Sequence, residues 1–428
     1  MRHGATMPKN NHGMTPLISA AERCQAEVID YITSRPEVTI RERIDAFELL
    51  GASFANDKEH YNLALAHKYL TKGMEERWRD PEKVIQKPVL PPVPAYESRV
   101  ESETPEDLLA LRDDPNALHM EGLVIRERIL GQANPEVPHP VIFRGAVFAD
   151  DARFERCIQL WMHSLRLRKG LEPGKANISL DLLRFAQVFS EIVHVGLEVE
   201  FANLLEVTEA VRDEIRRNPH STPCSSGGHS CSEANDTERN MSTLLYFLVI
   251  YSKMQKKVTP EQHFDLMRVL YDIVAMKPRS SGGASLLHMA VDSQTPVDEF
   301  YTSSIVHFPC AAATKLLIEA GADVGAMDAE RNTPLHKIVS YQKIVSDFLT
   351  LHAIITALVE AGAHIDVVNA RGLTPMQCAT TGVAEIILKS QARLTLKCLA
   401  AQSVRRHNLS YQGQVPESLV TFIELHGP

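Results

Sequence analysis

Long hydrophobic runs are missing from this 428-residue chain. The longest, LLYFLVIY at 244 to 251, is far short of the roughly 20 residues a bilayer-spanning helix needs. The opening MRHGATMPKNNHG has no apolar core of a signal peptide, so no membrane association is expected. Also missing is an excess of positive charge. With 45 Lys and Arg against 54 Asp and Glu, the formal charge is −9, which argues against a general nucleic-acid binder, because neutralising phosphates takes a basic field. Local clusters such as Arg166-Leu167-Arg168-Lys169 and Arg405-Arg406 read as solvated helix faces. Seven cysteines, at 24, 157, 224, 231, 310, 378 and 398, follow no framework spacing and are odd in number. That fits reduced thiols in a reducing compartment, and the expectation is a cytoplasmic protein, with nuclear residence left open.

Catalytic signatures are absent as well. There is no P-loop, no G-x-G-x-x-G, no G-x-S-x-G and no H-E-x-x-H, so a non-catalytic chain without cofactor or metal is expected. An enzyme with a scattered site has only generic Asp, Glu and His pairs to support it. Four residues invite a zinc reading: His220, Cys224, His229 and Cys231, within NPHSTPCSSGGHSCSEAND at 218 to 236. They lack paired spacing and sit in low-complexity sequence, so a flexible loop is the expectation there.

Self-similarity is what the sequence does have. Leu317-Ile318-Glu319-Ala320-Gly321-Ala322-Asp323-Val324 returns as Leu358-Val359-Glu360-Ala361-Gly362-Ala363-His364-Ile365, and Thr333-Pro334-Leu335-His336 as Thr374-Pro375-Met376-Gln377, both displaced by 41 positions. The order of parts resembles ankyrin repeats, whose period is about 33, with eight or so residues added. Thr-Pro opens a helix, because proline is tolerated in the first turn where its missing N–H has no intrahelical partner. Gly321 and Gly362 end one, where a left-handed residue is wanted. A divergent start, Ser285-Leu286-Leu287-His288-Met289-Ala290, implies an insertion around 295 to 308 and completes a triplet over 281–393. His288 and His336 are expected to hydrogen-bond within and between repeats.

A further helix start, Gly13-Met14-Thr15-Pro16-Leu17, with a second helix through Val28 to Ile32, gives a partial repeat over 1–38. His3-Gly4-Ala5 before it matches the close of a preceding repeat, so the chain begins in mid-repeat, and the expectation is a shortened form of a longer protein. Between the ankyrin parts lie tetratricopeptide-like signals. Phe47, Leu50-Gly51, Phe54, Ala66, Leu70 and Gly73 give a hairpin over 39–84. Arg144-Gly145, Phe148, Cys157, Trp161 and Ser164 give a cleaner one in a helical region over 121–217, entered from Ile125 to Gly131 and the 135 to 140 loop. KPVLPPVP at 87 to 94 opens a linker and helix over 85–120; the Ser/Gly linker spans 218–240 and a helical segment 241–280.

The last region, 394–428, carries an unusual stripe. Leu396, Leu399, Ala400, Ser403 and Val404 share one helical face where a terminal helix would turn polar residues to solvent. Thr395-Leu396-x3-Ala400-x3-Val404 resembles the elongin-binding box of cullin-ligase substrate receptors, with Ala400 where that box usually has Cys. Val415-Pro416-x2-Leu419-x3-Ile423 resembles the cullin-two box that accompanies it in VHL-type receptors. Alone, the first string also fits a helix that merely closes the last repeat.

The two boxes together, the order of parts, and the stretches RERIDAFELLGASF (41 to 54), LVIRERILG (123 to 131), FRGAVFADDARFERCIQLW (143 to 161) and TLKCLAA (395 to 401) resemble the feminization (Fem) family of ankyrin-repeat ubiquitin-ligase receptors. The resemblance implies an all-α helical-repeat solenoid of ankyrin and tetratricopeptide-like repeats with a C-terminal VHL-box helical pair. It implies elongin B/C as partner through Leu396, Leu399, Ala400 and Val404, and cullin-two with its RING subunit through Val415, Pro416, Leu419 and Ile423. Protein substrates bearing C-terminal degrons would be held by a longer N-terminal ankyrin array, none of whose residues can be placed here. The alternatives are an interaction scaffold outside any ligase and a substrate-free decoy.

Overall fold

A computed structural model of the protein describes residues 7–88, 90–171, 178–254, 257–342, 347–391 and 395–426, apart from 218–229, with only the backbone of 230–235. Among these residues the chain is all-α: 21 α-helices, one 3-10 turn, and an isolated β-bridge between Val367 and His426. It divides into two compact units, Met1–Ile178 and Ser179–Pro428. That boundary is not where proline and serine composition suggests, and it splits the region expected at 121–217. His3-Gly4-Ala5 lies outside the described residues.

The first unit is a run of helical hairpins. Helices α1 (Pro16–Glu22) and α2 (Ala26–Thr33) pair, with Pro16 in the first turn and the Thr15 hydroxyl accepting from the Ile18 N–H. Then α3 (Ile40–Asn56) and α4 (Leu63–Arg77) form the largest contact of the unit. Thr39 and Glu42 close a capping box at the head of α3. Close approach requires glycine here: a Cβ on Gly51 would stand 2.7 Å from the Ala66 carbonyl oxygen. Leu17, Ile29, Phe47, Leu50, Phe54, Tyr69 and Leu70 form the core beneath.

The expected linker at 87 to 94 is extended and largely exposed, with anchors at its two ends. Arg77 donates from Nη1 to the Ile85 carbonyl at 2.9 Å, Lys87 pairs with Glu101 at 3.1 Å, and Tyr96, in a 3-10 turn (Pro94–Tyr96), is fully buried. The linker's flanks are thereby tied to Arg77 of α4 and to Glu101. Helices α5 (Pro105–Ala110), α6 (Pro115–Leu130), α7 (Pro138–Asp150) and α8 (Phe154–Lys169) complete the unit. Gly145 admits the Trp161 indole, which a Cβ would meet at 2.4 Å, and the Trp161 Nε1–H donates to the Ile142 carbonyl. Gly131 ends α6 at φ +82°, a conformation glycine adopts without steric cost.

Buried charges tie these hairpins. Glu48 on α3 accepts from Arg77 Nε at 2.6 Å and from Arg128 Nη2 at 2.7 Å, and Arg128 Nε reaches Glu101 at 2.6 Å. The two arginines hold the Glu48 carboxyl down to about 2 against the opposing pull of burial.

In the second unit, α9 (Ser179–His194), α10 (Phe201–Arg217), α11 (Ser230–Met254) and α12 (Pro260–Ala275) pack as neighbours. Of the expected Ser/Gly linker, 218–229 lies outside the described residues, including His220, Cys224 and His229. The remainder, from Ser230, already belongs to α11. The LLYFLVIY run lies in the C-terminal half of that helix, buried on every side, as a helix segment apolar all round must be. No helix among the described residues is long and apolar enough to cross a membrane.

Then come three hairpins: α13 (Leu286–Val291) with α15 (Ala311–Glu319), α16 (Pro334–Val339) with α17 (Phe348–Glu360), and α18 (Pro375–Cys378) with α19 (Gly382–Gln391). The expected insertion holds a short helix, α14 (Thr302–Ile305), packed on α9. Capping boxes open α13, α16 and α18, and Gly321 and Gly362 follow α15 and α17 at φ +85° and +98°. His288 Nδ1 meets Ser285 while its Nε2 reaches the Asn332 carbonyl oxygen at 2.8 Å. His336 does the same with Thr333 and, at 3.1 Å, with the Leu373 carbonyl. Each histidine thus links its own hairpin to the next. Burial pushes His288 down to about 4 and lowers His336.

Candidate docking site

The C-terminal helices α20 (Leu396–Arg406) and α21 (Glu417–Leu425) pack on each other. Thr395 starts α20 as its N-cap, its hydroxyl accepting from the Cys398 N–H at 3.1 Å. Helical periodicity then separates two faces. Cys398 and Ala401 point inward at 1% and 2% exposure. Leu396 and Leu399 point outward at 85% and 45%, with Ala400 and Ser403 also exposed and Val404 half-buried. The outward side thus holds two leucines and Ala400 in water beside Lys397, Arg405 and Arg406, where an ordinary surface helix would turn polar residues alone.

Interactions on the inward face fix that orientation. Gln402 Nε2 donates to Asp366 Oδ2 at 2.8 Å, and Cys398 Sγ lies 3.3 Å from His364 Nδ1. Both partners belong to the loop that follows α17. The same loop holds the end of α21, since the Val368 N–H donates to the Leu425 carbonyl at 2.9 Å and Val367 bridges to His426. Lys397 stacks its ammonium over the Phe422 ring at 4.0 Å, joining the two helices. Were α20 rotated to bury its leucines, Asp366 and His364 would lose these partners.

Placement of the second group is less uniform. Pro416 is exposed and stands at the N-cap of α21. Val415 and Leu419 are half-buried. Ile423 is buried at 8%, turned into the molecule, so it is a packing residue and is not available as a surface contact in this conformation. The resemblance set Val415, Leu419 and Ile423 together as contacts for the cullin. The burial pattern instead leaves the N-terminal part of that set at the surface and covers its C-terminal end.

Sequence reading did not flag the residues that hold the tail: His364, Asp366, Cys398, Gln402 and His426. They come from a loop, a helix and a chain end, and no spacing rule joins them. Only the departure of His364 from the Asp at the matching position 323 is visible in the repeats themselves.

No protein-family model matches the chain. Curated relatives do. The chain is 34% identical over 432 residues to protein fem-1 homolog A of Danio rerio and 33% identical over 431 residues to protein fem-1 homolog C of Mus musculus, in each case across 99% of this chain and 67% of the relative. With the protein fem-1 homolog of Drosophila melanogaster it shares 30% identity over 475 residues, covering 99% and 70%. The chain thus spans about two thirds of the length of these relatives, and the chain belongs to the fem-1 homolog family.

Proposed function

We propose that this chain is a non-catalytic adaptor, a substrate-receptor subunit of a ubiquitin ligase built on cullin-two and elongins B and C. The observation that carries the reading is the outward apolar face of α20. Leu396 stands 85% exposed on a helix whose opposite side is buried and hydrogen-bonded. In the helix-in-groove mode, Leu396 would anchor in a hydrophobic groove of elongin C, with Leu399 and Val404 flanking it and small Ala400 permitting close approach. Val415, Pro416 and Leu419 would then meet the cullin, with Ile423 supporting them from within. The cullin would bring the RING subunit and a charged ubiquitin-conjugating enzyme.

The hairpins support the rest of the reading. The capping boxes, the left-handed glycines and the histidines bridging successive hairpins in 281–393 favour ankyrin repeats. The close helix contacts at Gly51 and Gly145 favour tetratricopeptide-like hairpins. Proteins with C-terminal degrons are the substrate class that the family resemblance suggests, and no residue of this chain is assigned to holding them.

Reconstitution tests the proposal. Purified chain mixed with elongins B and C should elute from a sizing column as one complex, which then recruits cullin-two. Separate elution at micromolar concentrations of both would leave the scaffold reading in its place.

A further inference from the structure

Four side chains that the sequence does not pair converge beneath the tail. His364 and Asp366 come from the loop after α17, Cys398 from the inward face of α20, and His426 from the residue that ends α21. One donor atom from each lies within 4.8 Å of all the others. Cys398 and His426 are at 1% and 0% exposure, Asp366 at 7%, and His364 is half-buried.

Two donor atoms there have no hydrogen-bond partner: Asp366 Oδ1 and His426 Nε2, 3.5 Å apart. A buried carboxylate oxygen without a partner is costly. The surrounding bonds aim these atoms at one point. His426 Nδ1 sits 2.7 Å from the Phe422 carbonyl, which fixes that nitrogen as the N–H and leaves the Nε2 lone pair free. Asp366 Oδ2 is taken by Gln402, leaving Oδ1, and the Thr395 hydroxyl donates to Cys398 Sγ at 3.0 Å. These are the supports a metal ligand sphere needs: a carbonyl behind a histidine, an amide behind a carboxylate, a hydroxyl on a sulfur.

We propose that His364, Asp366, Cys398 and His426 bind one zinc ion, which joins the two tail helices to the loop after α17. With metal–nitrogen and metal–oxygen distances of about 2.0–2.1 Å and metal–sulfur of about 2.3 Å, tetrahedral ligands stand roughly 3.3–3.7 Å from each other. The Cys398–His364 and Asp366–His426 separations, 3.3 and 3.5 Å, already match, and the other pairs, all within 4.8 Å, close with small side-chain rotations. The donor set of two imidazoles, one thiolate and one carboxylate suits zinc over magnesium or calcium, which take oxygen ligands. Charge balances too: on binding, the Cys398 thiol gives its proton to solvent, and thiolate plus carboxylate neutralise the dication. With four protein ligands the site is closed, which marks a structural ion. The proposal stands apart from the ligase reading, since it concerns what fixes the tail and not what the tail meets.

Metal content and cobalt absorption test it on the full chain. Protein stripped with chelating resin, loaded with zinc alone and dialysed should retain about one equivalent more than Cys398→Ser or His426→Asn treated identically. Taking the difference removes any metal held by the cysteines and histidines of the 218–236 segment. Gln402→Ala, which touches no ligand lone pair used by the ion, should weaken zinc binding roughly 10- to 100-fold without abolishing it. Cobalt(II) added to the stripped wild-type chain should give thiolate-to-metal charge transfer and intense tetrahedral bands that zinc displaces, a readout independent of any variant's folding. Equal metal in wild type and Cys398→Ser, or a weak octahedral cobalt spectrum, would overturn the proposal.

Discussion

Helices α4 and α20 treat their apolar residues in opposite ways. Helix α4 buries Ala66, Tyr69, Leu70 and Met74 against α3 and ends on a buried arginine whose charge is met by Glu48. Helix α20 buries a cysteine and an alanine and holds Leu396 and Leu399 in water. Burying a leucine contributes about 1.5–3 kcal/mol, so a fold that leaves two out has found no internal surface for them. The contrast separates residues selected by the fold from residues that the fold merely presents. Substitution in α3 and α4 should therefore cost stability, whereas substitution on the outward face of α20 should cost binding alone.

The strongest way to break that contrast is at Glu48. Replacing it with alanine leaves Arg77 and Arg128 buried without their shared carboxylate. Removing one partner of such a network costs about 3–5 kcal/mol. A denaturant titration of Glu48→Ala should show a loss of that order, and a loss within measurement error would mean that the network is not buried as described.

Acidification probes the repeats of the second unit. His288 titrates near 6.5 when unfolded and at about 4 in the fold, so between those values the unfolded chain takes up a proton that the folded repeat refuses. Stability should fall as pH drops through this window, by about 2–3 kcal/mol from His288 alone. His288→Gln should flatten the melting-temperature profile between pH 6.5 and 4 without removing its slope, because His119, pushed down to about 3 by burial, titrates in the same direction. An unchanged profile would place His288 outside the buried inter-hairpin bond.

The smallest expected effect is on α20. Leu396→Ala removes a side chain that is 85% exposed, and thermal denaturation should move by less than about 0.5 kcal/mol equivalent. A larger loss would show Leu396 to be part of the packing.

The sequence made the hairpins of 281–393 readable because each carries its own punctuation. Thr-Pro opens a helix and Gly-Ala closes one, and these signals act within a few residues, which is why Gly321 and Gly362 stand at positive φ where the repeat comparison placed them. The outward stripe of α20 was readable for the same reason, since 3.6-residue periodicity is local. Long-range packing was not. Nothing around KPVLPPVP announces that Arg77 will hold the Ile85 carbonyl just before it, or that Lys87 will pair with Glu101. Ile423 obeys the same spacing as Leu419, yet the loop at Val367 and Val368 draws the end of α21 inward and covers it. The His364, Asp366, Cys398 and His426 cluster was invisible because its members meet only in three dimensions.

Calorimetric titration of elongins B and C into the wild-type chain and into Leu396→Ala tests the central claim most directly. Wild type should form a stoichiometric complex, and the variant should bind more weakly by roughly ten- to a hundred-fold, from the loss of about 1.5–3 kcal/mol of leucine burial. Equal affinities for the two chains, or no heat of binding with either, would contradict it.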